Sequence, residues 1–68
     1  MFWAEFVLLT SMIGELIRIE RKMRNWTQQD LANKTKIKQP VIARYEKGQQ
    51  PSSKNLLAIS KAFNLPVE

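Results

Sequence analysis

A chain of 68 residues makes one small domain, since so short a sequence cannot divide into two independent cores. With no cysteine and no histidine, it excludes disulfide staples, Cys/His zinc sites, thiol nucleophiles and imidazole acid–base chemistry. Eleven Lys and Arg against six Asp and Glu give net +5 and a pI near 10.0, which favours a polyanionic partner, either nucleic acid or an anionic membrane surface.

The basic charge is confined to one part of the chain. All the Lys and Arg residues lie from Arg18 onward, whereas residues 1–11 form an apolar extension rich in Phe2, Trp3, Phe6, Val7, Leu8 and Leu9. That run has no basic leader and no small-residue cleavage site, and it is far shorter than the about 20 residues a membrane span needs. A soluble, cytoplasmic protein is expected.

Apolar steps of three and four run through Phe2, Phe6, Leu9, Ile13, Leu16 and Ile17, and again through Met12, Leu16, Ile19, Met23 and Trp26. They predict a first helix over about Met12–Arg24, with the extension as its upstream continuation. Phe-Val-Leu-Leu-Thr fits a short strand as well, and Thr10, Ser11 and Gly14 weaken the join; helix is the preferred reading. Thr27-Gln28-Gln29-Asp30 has the spacing of a capping box, so a second helix is expected over about Gln28–Lys34, burying Leu31 and Ala32. After a short turn at Thr35-Lys36-Ile37, a third helix should cover about Gln39–Lys47. Pro40 is in its first turn, where a missing N–H costs nothing, Ile42 and Tyr45 face inward, and Gly48 stops it. Ser52 is placed to cap a fourth helix over about Ser53–Phe63, with Leu56, Ile59, Ser60 and Phe63 inside. The expected fold is all-α, four to five short helices.

These elements, taken in order, resemble the Cro/CI-type (phage repressor-like, XRE) helix-turn-helix family. The resemblance rests on Ile17 and Arg21, Trp26-Thr27-Gln28, Leu31-Ala32, Ile37, Ile42, Tyr45-Glu46 and Gly48. Pro51-Ser52, Leu56-Leu57, Ile59 and Lys61-Ala62-Phe63 complete it. It covers residues 12–68, with the helix-turn-helix unit at about 27–47. It implies a compact lambda-repressor-like domain that binds double-stranded DNA as a transcriptional regulator, most often a repressor. Such a fold lays its second motif helix in the major groove. With Ile42 and Tyr45 as anchors, Lys38, Gln39, Pro40, Val41 and Arg44 are left to face bases. Gln pairs bidentately with adenine and Arg with guanine, while Pro40 and Val41 suit a thymine methyl.

By resemblance, Gln39 and Arg44 stand at the family's main base-reading positions. Gln28 stands where family members hold a phosphate and brace the first recognition-helix side chain. Lys47, Gln49 and Gln50 fall in the loop that touches the DNA backbone, and Arg21 and Glu46 at a buried structural ion pair. Lys36, near the amino end of the third helix, is a further phosphate contact on electrostatic grounds.

The sequence departs from the family pattern at three places. Glu20 replaces an aliphatic residue, Lys36 a turn glycine, and Lys38 the small hydroxyl cap of the third helix. The family's fifth helix, which often completes the core and the dimer, would begin where this sequence ends. Phe2, Trp3, Phe6 and Leu9 are therefore expected either to pack across a homodimer or to complete the core. The alternative function is a DNA-binding antitoxin whose apolar extension grips a protein partner such as a toxin. No enzyme is expected, because the carboxylates are scattered and no phosphate-cradling loop exists; no cofactor or metal is implied.

Overall fold

A computed structural model describes residues 2–65 of the chain, with side chains from Met12 onward. It contains four helices: α1 (Phe2–Met23), α2 (Gln28–Thr35), α3 (Gln39–Glu46) and α4 (Ser53–Ala62). No strand occurs among the described residues. Among the described residues the helix count is four, the lower end of the expected four to five, and each boundary falls within a residue of expectation except the start of α1. That helix has 22 residues and is not short: the backbone of the extension runs into it without a break, so Ser11 starts no new helix. The side chains of Phe2, Trp3, Phe6 and Leu9 lie outside the described residues.

The reason α1 tolerates Gly14 is packing. A Cβ on Gly14 would lie 2.3 Å from the Tyr45 carbonyl oxygen and 3.3 Å from that of Glu46. Only glycine lets the two helices approach this closely, which offsets its roughly 1 kcal/mol helix penalty. Just below, Ile17 joins Leu31, Ala32, Ile37, Ile42, Tyr45, Ile59 and Phe63 in a single buried core, drawn from every helix and from the α2–α3 turn.

Local chemistry sets the helix ends. Thr27 Oγ1 accepts from the Asp30 N–H at 3.0 Å and Asp30 Oδ2 accepts from the Thr27 N–H at 2.8 Å, the complete capping box. Ser52 Oγ accepts from the Asn55 N–H at 3.2 Å. Every helix closes with a residue in the left-handed region: Lys36 after α2, and Asn25, Gly48 and Asn64 after α1, α3 and α4. After Asn25, Gly48 and Asn64 the next residue's N–H reaches back five positions, as with Gln49 to the Arg44 carbonyl at 3.0 Å. The hydrophobic residues Trp26 and Leu65 follow two of these stops, and Trp26 stacks on Phe63 with centroids 5.7 Å apart.

Leu56 departs from expectation. It is exposed, on the rim of an apolar groove of about 150 Å³ lined also by Ile13, Leu16, Glu20, Ile59 and Leu65. Glu20 is half-buried there and accepts from Arg24 Nη1 at 2.6 Å. Arg24 goes on to donate through Nη2 to the Phe63 carbonyl at 2.7 Å, so the acidic departure from the family pattern ties α1 to the end of α4.

Candidate nucleic-acid interface

The α2–α3 unit is held at its turn by Thr35, whose hydroxyl donates to the Leu31 carbonyl at 2.8 Å. Lys36 follows at φ 61, ψ 22, a left-handed conformation that glycine adopts with less strain. Ile37 then drops into the core and the chain re-enters helix at Lys38, whose side chain makes no capping bond. The first turn of α3 carries no acidic residue, so two lysines flank a helix end that already bears positive partial charge.

From α1, Arg21 donates to Glu46 through Nε at 2.7 Å and Nη2 at 3.0 Å, and through Nη1 to the Trp26 carbonyl at 2.8 Å. The hydrogen bonds to Glu46 hold the guanidinium above its usual pKa, against the opposing effect of burial. Glu46 Oε1 also accepts from Gln28 Nε2 at 3.1 Å, and Gln28 Oε1 in turn accepts from Gln39 Nε2 at 2.7 Å. A carboxylate can only accept, so it fixes which end of the Gln28 amide faces it and, through that, which end of Gln39 faces Gln28. Gln39 keeps its Oε1 and one N–H free of the other described residues. The Arg21–Glu46 pair that joins α1 to α3 thereby sets the orientation of Gln39, the first side chain of α3.

The other residues singled out from the sequence fall as follows. Pro40 and Arg44 are exposed on α3 and Lys38 at its N-cap, and Gln39 is half-buried beside Gln28. Val41 is half-buried and packs against the core, which withdraws part of its surface. Lys36, Lys47, Gln49 and Gln50 are all exposed around the two ends of α3. Two positioning residues were missed in the sequence. Asn55 on α4 donates to the Tyr45 hydroxyl at 2.7 Å and so clamps the inner side of α3, and Gly14 sets how deep α3 sits on α1. The mid-helix glycine was the available signal for the second; nothing in the pattern marked the first.

A helix-turn-helix family model matches residues 17–68, well over half of the chain and all of the α2–α3 unit. The chain belongs to the Cro/CI-type helix-turn-helix family. As a member of that family it is a DNA-binding regulator. No curated protein and no solved structure matches it. Among the described residues, no helix is long and apolar enough to cross a membrane.

Proposed function

We propose that this helix-turn-helix protein is a sequence-specific repressor that binds two operator half-sites as a homodimer. In this reading Gln39 and Arg44 read bases, Lys38, Pro40 and Val41 border them, and Gln28, Lys36, Lys47, Gln49 and Gln50 hold phosphates. The observation that carries the reading is the hydrogen-bonded line from Arg21 through Glu46 and Gln28 to Gln39. It leaves Gln39 with one donor and one acceptor, the pair that matches adenine N7 and N6 in the major groove. Exposed Arg44 lies five residues further along α3, where a guanine two to three base pairs away matches its fork. Repression follows from occupancy of the operator alone and requires no second activity of so small a chain.

Selection from a random duplex pool supplies the operator, and variants are then compared on it and on random DNA. Gln39→Ala and Arg44→Ala are each expected to cost about 1–3 kcal/mol on the selected site and almost nothing on random DNA. Equal losses on both would show that these side chains touch only phosphate.

A further inference from the structure

Packing within the domain uses one side of α1. Gly14, Ile17 and Arg21 face α3 and the core. On the opposite side, about 160° round the helix at 3.6 residues per turn, stand Met12, Leu16, Ile19 and Met23. They are exposed to 57%, 55%, 42% and 71%. Single exposed apolar residues are ordinary, but a continuous ridge of four is the mark of an interface. Steps of four, three and four give this ridge the a/d spacing of a coiled-coil seam. Leu56 and Leu65, also exposed, border it across the apolar groove and enlarge the patch.

The charges beside the ridge select its occupant. In heptad terms Glu15 and Lys22 both flank the seam on one edge, at equivalent positions seven residues apart, and both are exposed. Two copies of α1 laid antiparallel about a two-fold axis between Ile17 and Arg18 set Leu16 against the partner's Ile19 and Met12 against the partner's Met23. The same register sets Glu15 beside the partner's Lys22, twice by symmetry. A parallel pair sets Glu15 against the partner's Glu20 instead, a like-charge contact. Glu15 also meets Arg18 of its own helix, but an exposed pair of that kind contributes little and does not hold the carboxylate back.

We propose that the protein dimerises through α1, antiparallel, with Met12, Leu16, Ile19 and Met23 as the seam and Glu15–Lys22 pairs fixing the register. Because α3 packs on the far side of α1, both recognition helices stay uncovered. The inference deepens the homodimer of the proposed function and rests on that reading only where association is linked to operator binding.

The test is sedimentation equilibrium of the full chain without DNA, from micromolar to submillimolar concentration. The parent is expected to associate to twice its mass, and Ile19→Glu to remain monomeric with unchanged helicity by circular dichroism. Glu15→Lys and Lys22→Glu, at exposed positions that do not bear on folding, are each expected to weaken the dimer about tenfold. An equimolar mixture of those two variants should recover parental association, because each then offers its partner the opposite charge at both contacts. A monomeric parent overturns the proposal, as does a dimeric Ile19→Glu, an undiminished charge reversal or a mixture that fails to recover. Binding to a duplex holding one half-site, scored separately, reports on the DNA reading: its failure with the dimer intact counts against that reading and leaves the α1 interface standing.

Discussion

Glu46 accepts hydrogen bonds from Arg21 and Gln28 through one carboxylate, and it is nearly shut off from solvent. Removing either charge strands the other, and breaking a buried pair in this way costs about 3–5 kcal/mol. Arg21→Ala and Glu46→Ala should each lower stability by that amount in urea melts, while a double replacement by apolar residues of matched volume should cost much less. A single variant that melts like the parent would show that the pair is solvated in solution. Glu46→Gln tests the polarity of the line separately. An amide can present either end to Gln28, so Gln39 loses its enforced orientation, and preference for adenine at its position should fall more than overall affinity. Gly14→Ala probes the other fixed point beneath α3. The added methyl meets a backbone oxygen that cannot step aside, so α1 and α3 must separate. A loss of about 1–3 kcal/mol is expected in spite of alanine's better helix propensity.

Among the helices, α2 and α3 begin in opposite ways. In α2 the capping box donates to Asp30 from the Thr27 N–H and, with the Thr27 hydroxyl, holds its carboxyl below the usual carboxylate range. A lowered folded-state pKa gives stability that is present above the unfolded value and lost as pH falls through the folded one. The difference in melting temperature between the parent and Asp30→Ala should therefore be full near neutrality and narrow below about pH 4, where a constant gap would mean that the box does not form. At α3 there is no cap, Lys36 is left-handed and Lys38 adds like charge to the helix end. Lys36→Gly with Lys38→Ser should raise stability by about 1–2 kcal/mol. A DNA phosphate reverses the sign of those lysines, so the same variant should bind DNA more weakly and with a salt slope smaller by about one to two contacts. Unchanged affinity and slope would make the lysines incidental. Much of this was legible in the residues: caps at Thr27 and Ser52, the stop at Gly48 and the four helices all follow from short-range rules. What was not legible depends on distance in the fold. Leu56 obeys the helical period and still stays outside, because α1 turns its apolar ridge away from α4 and leaves the groove between them open. Gly14 reads as a weak join until the carbonyl of Tyr45 is placed against it. The two ends of the line were legible through the family resemblance, Arg21 with Glu46 as an ion pair and Gln28 as the brace of the first α3 side chain, but the Gln28–Glu46 bond that joins them was not, since it depends on which amide end meets the carboxylate.

For the molecule as a whole, a single recognition helix reaches too few base pairs for useful affinity, so in the proposed homodimer the arrangement of the two copies decides how it works on DNA. Half-sites read by a two-fold dimer lie about 10–10.5 base pairs apart, centre to centre, so that both recognition helices meet the same face of the duplex. A dimer joined along a rigid helix cannot follow a half-site that has rotated to the other face. Inserting about five base pairs between the half-sites should therefore reduce affinity to that of one half-site, since half a helical turn separates them. The apolar extension bears on the same question, because its backbone is continuous with α1 and its length adds to the seam or to the end of the domain. Deleting residues 1–11 shortens α1 but leaves the ridge from Met12 to Met23 intact. If the extension contributes to association, the truncated protein should bind a single half-site as the parent does and lose cooperativity on the full operator. Titrations of the two duplexes at one salt concentration separate these effects, because phosphate contacts weigh equally in both arms. Unchanged mass and unchanged operator affinity after truncation would confine dimerisation to the ridge itself.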